Sequence, residues 1–384
     1  MKMPITNSHK GFSLLELMVA SSIGLIAILA MTILFRAGMS TMFTVTQRAE
    51  TQQNLRAGIE LMSKDLSLAG AGLPSGGLQL ADASATKVAC NQTGTCYVSG
   101  DVYPNGNFMT GILPGFGNGV QNSSVISAAP AATNDSITSI YCDYNFSLSN
   151  FTFTFPSVTQ ADVAVINTAV TPNSILAPGG LNVGDLVLFL VSSPGNGTGS
   201  QGTSSSQTAA VVGEITGIPS SSVINFAAGD PLNFNQSKTT ANSLAYAINS
   251  LGSSLGAGNT VTACRLNAVT YFLQVPPAGG TVQTPRLMRQ VNGLTAVPVA
   301  DNIINLQFSY DVINSISGTI NANVSSPIAA GLSPALIQKV NMWIMGQGLL
   351  TGGNHAQSMY LASSVATRNM SFCNSYSAST TACQ

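Results

Sequence analysis

Residues Gly11-Phe12-Ser13-Leu14-Leu15-Glu16 run straight into Leu17-Met-Val-Ala-Ser-Ser-Ile-Gly-Leu-Ile-Ala-Ile-Leu-Ala-Met-Thr-Ile-Leu-Phe35. The 19 residues from Leu17 to Phe35 carry no charge. At ~1.5 Å rise per residue they make roughly 28 Å of helix, about one bilayer core. Arg36 closes the run, and Lys2 and Lys10 precede it. That bias leaves the N-terminus cytoplasmic and the bulk of the chain outside. A cleaved secretory signal fits less well, because its apolar region spans only roughly 7–15 residues. A plain anchor accounts for the length but not for Glu16, since a carboxylate at the edge of the bilayer is costly and tends to serve a function.

Outward from this segment, charge is scarce. The 384 residues hold 13 basic and 14 acidic side chains, 7% of the total, with a mean hydropathy of +0.30. A typical globular chain carries about 25%. Disorder is excluded, because it needs low hydrophobicity and high net charge. A formal net charge of −1 gives no electrostatic basis for nucleic-acid binding. One spanning run excludes a polytopic membrane protein. Ten charges fall within residues 1–70 and only 17 in the remaining 314. The chain therefore divides near residue 70 into a charged and apolar part and a long neutral polar part. The latter suits an exported or assembly-packed surface.

The six residues Gly11 to Glu16, the basic start and the spanning run together resemble the class III signal of type IV prepilins and type II secretion pseudopilins. The resemblance implies a leader of residues 1–11, cut between Gly11 and Phe12 by a prepilin peptidase, with N-methylation of Phe12. It implies no cofactor. Removing Lys2 and Lys10 leaves 11 basic and 14 acidic side chains, a formal net charge of −3. Glu16 then lies four residues from the new α-amino group, one helical turn away. In a stack of subunits it can neutralise a neighbour's ammonium, and two buried charges cost far less paired than alone. Its implied role is in assembly.

Beyond Arg36, Leu55, Ile59, Met62, Leu66 and Ala69 are spaced 4, 3, 4, 3 and form one apolar stripe. This predicts a helix from Phe12 to Ala69, stopped by Gly70, Gly72 and Pro74. Residues 12–36 would be the membrane and filament-core part, and 37–70 the amphipathic part that packs on the protein's own sheet. Glu60 and Lys64 form a favourable i,i+4 pair. Residues 53–72, QNLRAGIELMSKDLSLAGAG, resemble the helix end of PilW-like minor pilins and of J-type pseudopilins.

After residue 72, short strand-like runs alternate with Gly, Pro, Asn and Ser clusters. The strands expected are 139–146, 151–155, 185–192, 209–218, 261–275, 286–291, 302–312 and 338–345, with one short helix near 239–251. The fold class expected is α+β: a long N-terminal helix packed on an antiparallel β-sheet domain spanning 71–384. The C-terminal third, about 265–372, loosely resembles the pseudopilin-type sheet, whereas 73–264 resembles nothing assignable.

Six cysteines follow residue 70: Cys90, Cys96, Cys142, Cys264, Cys373 and Cys383. An even number behind an export signal points to disulfides. The short spacings favour Cys90–Cys96 and Cys373–Cys383, which leaves Cys142 with Cys264. Zinc is disfavoured: there is no Cys-x-x-Cys, and His355 is the only histidine beyond the leader. Any hydrolytic triad would rest on His355 alone, in a loop-like context. There is no P-loop and no His-Glu-x-x-His. Asp135, Asp143 and Asp230 are the loop aspartates that could take calcium, though without a clustered Asp/Asn loop. Asp301 and Asp311 lie ten residues apart on one expected strand, too far for a shared site. Trp343 and Tyr310 read as core or sheet aromatics.

The sequence thus reads as a non-enzymatic minor pilin precursor of the PilW-like kind, which primes or caps type IV pilus assembly. Its expected partners are a prepilin peptidase, other major and minor pilins, and inner-membrane lipid before assembly, with no nucleic acid. The implied location is the inner membrane, single-pass, and then the periplasm or a surface pilus. A J-type pseudopilin of a type II secretion system and a pilus-associated adhesin are the alternative readings.

Overall fold

The computed structural model describes residues 11–74, 77–81, 108–115, 134–143, 146, 148, 151–169, 175–176, 178–193, 207–251, 260–274, 285–348 and 358–370. Residues 1–10 of the expected leader, His355, Cys90, Cys96, Cys373 and Cys383 lie outside them.

One helix, α1 (Leu14–Ser67, 54 residues), opens the fold. It contains no proline and three glycines, so nothing interrupts its hydrogen-bond ladder. At ~1.5 Å per residue it is about 81 Å long. It stops two residues before Ala69: Leu68 is the C-cap, and Gly70 turns the chain at φ +81°. A Cβ at Gly70 would also lie 2.9 Å from the Asn369 carbonyl oxygen, so the position needs glycine twice over.

The chain then forms β1 (Leu78–Gln79), β2 (Phe108–Met109), β3 (Ile112–Gly115) and β4 (Ser136–Cys142). The middle region contributes β5 (Thr152–Val158), β6 (Ala164–Ala169), β7 (Leu186–Ser193), β8 (Gln207–Glu214), β9 (Gly217–Ser220), β10 (Val223–Phe226) and helix α2 (Leu244–Leu251). The last part supplies β11 (Thr260–Gln274), β12 (Arg286–Val291), β13 (Val297–Asp301), β14 (Ile303–Ile313), β15 (Ile320–Val324), β16 (Ile337–Gln347) and β17 (Ser358–Ala366). All pairings are antiparallel. The fold is α+β, with mostly β structure after the helix.

Four sheets result. The largest has the order β13-β12-β11-β4-β3, with β7 on β11 and β8 on β7. A second runs β15-β14-β16-β17, a third β5-β6-β10-β9, and β1 pairs β2. The 15-residue strand β11 joins the regions. Its N-terminal half pairs β7, and its C-terminal half pairs β4 and β12.

The apolar stripe of α1 is buried as its spacing requires: Leu55, Ile59, Met62, Leu66 and Ala69 meet Leu306, Phe308, Tyr310 and Ile344 in one core. Close approach depends on small residues. A Cβ at Gly346 of β16 would sit 2.9 Å from Thr51 Cγ2 and 3.4 Å from Leu55 Cδ2. The middle region builds a second core on Phe189, which makes edge contacts with Phe153, Phe155 and Phe226 at 5.5–5.9 Å.

Two expected elements divide differently. The run 209–218 is two strands, because the chain changes partner there: Ile215 N–H still bonds Asp185 O beside β7 at 2.9 Å, whereas Thr216 N–H bonds Asn225 O of β10 at 2.9 Å. The short helix begins at Leu244, not Thr239. Asn242 takes φ +63°, and the Ser243 hydroxyl accepts Tyr246 N–H at 3.0 Å as an N-cap.

Candidate functional site

The N-terminal site is a helix start. Ser13 is extended (φ −71°, ψ 143°) and caps α1. Its N–H donates to Glu16 Oε2 at 3.3 Å, a bond from the N-cap residue back to the third helical residue. Glu16 is thus engaged within its own first turn, as the fifth residue after the expected cut. Phe12 is 83% exposed, and apolar side chains from Leu14 through Val45 project into the surroundings on all sides. The part of α1 apolar enough to cross a membrane is unburied in the chain. An all-round apolar helix needs an apolar environment.

At its other end α1 is tied down by Asp65. This carboxylate is 3% exposed. Tyr141 of β4 donates to Oδ1 at 2.8 Å, and Tyr271 of β11 donates to Oδ2 at 2.5 Å. Arg289 of β12 donates from Nε to Oδ2 at 2.8 Å and from Nη2 to Oδ1 at 3.3 Å. Ser139 Oγ adds a bond to the Asp65 carbonyl at 2.8 Å. Both tyrosines are held protonated beyond the ordinary phenol range, first by burial and then by the neighbouring Asp65 charge. For Arg289 burial works against the charge, but its hydrogen bonds to Asp65 prevail and raise its pKa. The cluster fastens the helix to three strands of the large sheet. The sequence carried a signal of it: Asp65 sits three residues after Met62 and four before Ala69, inside the apolar stripe, where a charge needs a partner.

A second tie joins β4 to β11. Cys142 and Cys264 form a disulfide with Cα atoms 5.6 Å apart, across a sequence separation of 122. The next residue on each strand repeats the link ionically: the Arg265 guanidinium grips Asp143 through Nε, at 3.0 Å, and through Nη2. Arg265 Nη1 also donates to the Gly179 and Gly180 carbonyls at 2.8 and 2.9 Å.

The aspartates considered for calcium serve the fold in separate places. Asp135 accepts Phe308 N–H at 2.9 Å, Asp143 pairs Arg265, and Asp230 accepts Phe234 and Asn235 N–H at 2.7 and 2.8 Å. Among the described residues no three His, Cys, Asp or Glu side chains gather as a metal set would require. Asp301 faces Arg286, and Asp311 faces Lys339. Tyr310 is buried, whereas Trp343 lies on the outer face of its sheet against Tyr360.

Among the described acids of the middle region, Glu214 is driven far from its ordinary value. Burial, and then hydrogen bonding to the adjacent Asp230 carboxylate, push it up to about 8. Leu232 N–H donates to its Oε2 at 3.1 Å.

Residues 6–32 match the prokaryotic N-terminal methylation motif. That span contains Gly11, Phe12 and Glu16 together with most of the exposed apolar helix. The motif supports a pilin or pseudopilin, processed at its N-terminus by a prepilin peptidase and assembled with other pilins. It points to a structural protein rather than an enzyme, and with the apolar helix it points to membrane anchoring. No curated protein and no solved structure matches the chain.

Proposed function

We propose that this chain is a minor pilin precursor of the PilW-like kind that primes or caps a type IV pilus. The peptide bond between Gly11 and Phe12 is cut, and Phe12 becomes the N-methylated first residue. Residues 12–36 hold the subunit in the inner membrane, N-terminus inward, with the β-rich part in the periplasm. On assembly the same segment moves into the filament core. The observation that carries this reading is a single helix with two environments. Its first 30-odd residues are apolar and unpartnered, whereas its last turns are locked into a sheet by an apolar stripe and Asp65.

Glu16 changes partners in this scheme. In the lone chain it caps its own first turn through Ser13 N–H. In the filament it also neutralises the ammonium created on a neighbouring subunit. Mass spectrometry of the mature N-terminus tests the cut, and a first residue other than methylated Phe12 overturns it. Glu16→Ala is expected to be processed normally but to be depleted at least severalfold from sheared filaments. Wild-type incorporation of that variant would remove the charge-pairing role. Loss of pili on deletion of the chain is the outcome expected of a priming subunit.

A further inference from the structure

The outer face of the sheet β15-β14-β16-β17 carries a built groove. Alternate residues of β14 and β16 point to opposite sides. Phe308, Tyr310, Met342 and Ile344 face α1 in the core, so Gln307, Ser309, Asn341 and Trp343 face away from it. Gln307 pairs directly with Trp343, and Trp343 with Ala362; in the next row Ser309 pairs with Asn341, and Asn341 with Ser364. The small Ala362 and Ser364 leave open space beside the indole. The resulting cavity is about 560 Å³, lined by these residues and by Asn323 and Ser325 of the β15 edge. Pockets that take small ligands span about 300–1,000 Å³.

The chemistry of the groove is specific. Trp343 is the chain's one tryptophan. Its indole stacks on Tyr360 with ring centroids 6.3 Å apart and planes 27° apart. Tyr360 does not line the cavity, so the aromatic pair forms one wall with the groove on the Trp343 side. Asn341 is aimed by its neighbours: its amide donates to Asp311 Oδ1 and to Asn323 Oδ1, both at 3.1 Å. Both amide protons are thereby used, and its carbonyl oxygen is left as an acceptor. The Gln307 amide makes no hydrogen bond within the described residues. The charges nearby cancel. Lys339 Nζ lies 2.6 Å from Asp311 Oδ2. Burial works against the Asp311 charge, but the bonds from Lys339, Asn323 and Asn341 hold its pKa below the usual carboxylate range.

A flat aromatic wall, a row of side-chain amides and hydroxyls, small residues that open a trough, and no uncompensated charge suit a ligand with an apolar face and a rim of hydroxyls. We propose that this groove binds a neutral saccharide chain, one ring against Trp343 and its hydroxyls on Gln307 and Asn341. A polyanion is disfavoured because the lining offers no free cation. A purely apolar ligand would bury the Gln307 amide and the Asn341 carbonyl oxygen without partners, which is unfavourable. The face is opposite α1, so it stays accessible when the helix is packed.

Trp343 emission reports on this groove alone. The test uses the processed full chain in a detergent without a sugar headgroup, titrated with cellohexaose and chitohexaose as neutral probes and with dextran sulfate as the charged one. A saturable change in emission with at least one neutral hexasaccharide is expected, with a Kd on the order of 1 mM or tighter. Gln307→Ala, which breaks no hydrogen bond among the described residues, should weaken binding about tenfold, and Ala362→Leu, which fills the trough, should abolish it. No saturable response to either neutral probe, an equal or stronger response to dextran sulfate, or binding indifferent to both substitutions would overturn the proposal.

Discussion

Asp65 is the residue on which the helix–sheet junction turns. It is a buried carboxylate with one guanidinium and two phenols on its two oxygens, so its desolvation is offset by four hydrogen bonds. Removing it leaves Arg289 without its counter-charge and two tyrosine hydroxyls unsatisfied beneath the helix. Breaking a buried pair from one side costs about 3–5 kcal/mol. Asp65→Ala is therefore expected to lower the unfolding free energy of the full chain by about that amount, read from urea midpoints in detergent. Tyr141→Phe and Tyr271→Phe each delete one donor while keeping the ring, and should cost only ~1 kcal/mol apiece. An Asp65→Ala variant within ~0.5 kcal/mol of the parent would show that the apolar stripe alone holds the junction. Glu16 contrasts with it: exposed, bonded to one amide of its own turn, and free to take a second partner.

At the scale of elements, α1 was legible in the sequence because two signals overlap on it: an uncharged run of spanning length, then a 4-3-4-3 stripe. Each of the eight expected strands overlaps an observed strand, with 209–218 divided between two, and β12 coincides at both ends. Several others left no comparable mark. In β17 the core-side residues Met359, Leu361 and Val365 stay only half-buried and are interrupted by Ser363, while Tyr360 faces outward, so the apolar period is blurred. Pro298 interrupts β13, and β9 and β10 are four residues each. The clustering of Tyr141, Tyr271 and Arg289 on Asp65 depends on strands up to 224 residues away in sequence, which no local pattern encodes. Nor does periodicity reveal how closely two elements approach. Gly346 lets β16 touch α1, and Gly346→Val would drive two methyl groups toward Thr51 and Leu55. Overpacking of this kind costs about 1–3 kcal/mol. The expected result is a lowered melting temperature with the β-sheet circular dichroism retained, and Gly346→Ala should fall between the variant and the parent. An unchanged melting temperature in both would mean that the helix can shift to make room.

Taken whole, the molecule holds its apolar groups in more than one core, and the strand β11 runs from one to the next. The core nearest α1 is tied by Asp65, β4 is tied to β11 by the Cys142–Cys264 bond, and Arg265 of β11 holds the middle region through the Gly179 and Gly180 carbonyls. The middle region also carries the titration that distinguishes the folded from the unfolded chain near neutral pH. Glu214 closes β8 and is almost fully buried beside Asp230; burial first, and the shared hydrogen bond second, hold its proton up to about pH 8. In the unfolded chain a glutamate loses that proton near pH ~4.3. Between those values the folded state binds more protons than the unfolded state, so stability falls as pH rises. Asp185 acts in the same direction, raised chiefly by burial and only partly restrained by Asn182 and Arg265. The chain is therefore expected to unfold more readily at pH 8 than at pH 5, by at least ~1.4 kcal/mol, the equivalent of one pKa unit. Thermal or urea unfolding across that window measures the difference. Glu214→Gln keeps a neutral donor beside Asp230 and removes the titrating group, so its stability should be nearly flat over the same range and should exceed that of the parent at pH 8. A parent chain whose stability rises from pH 5 to pH 8, or a glutamine variant with the same slope as the parent, would assign the proton elsewhere.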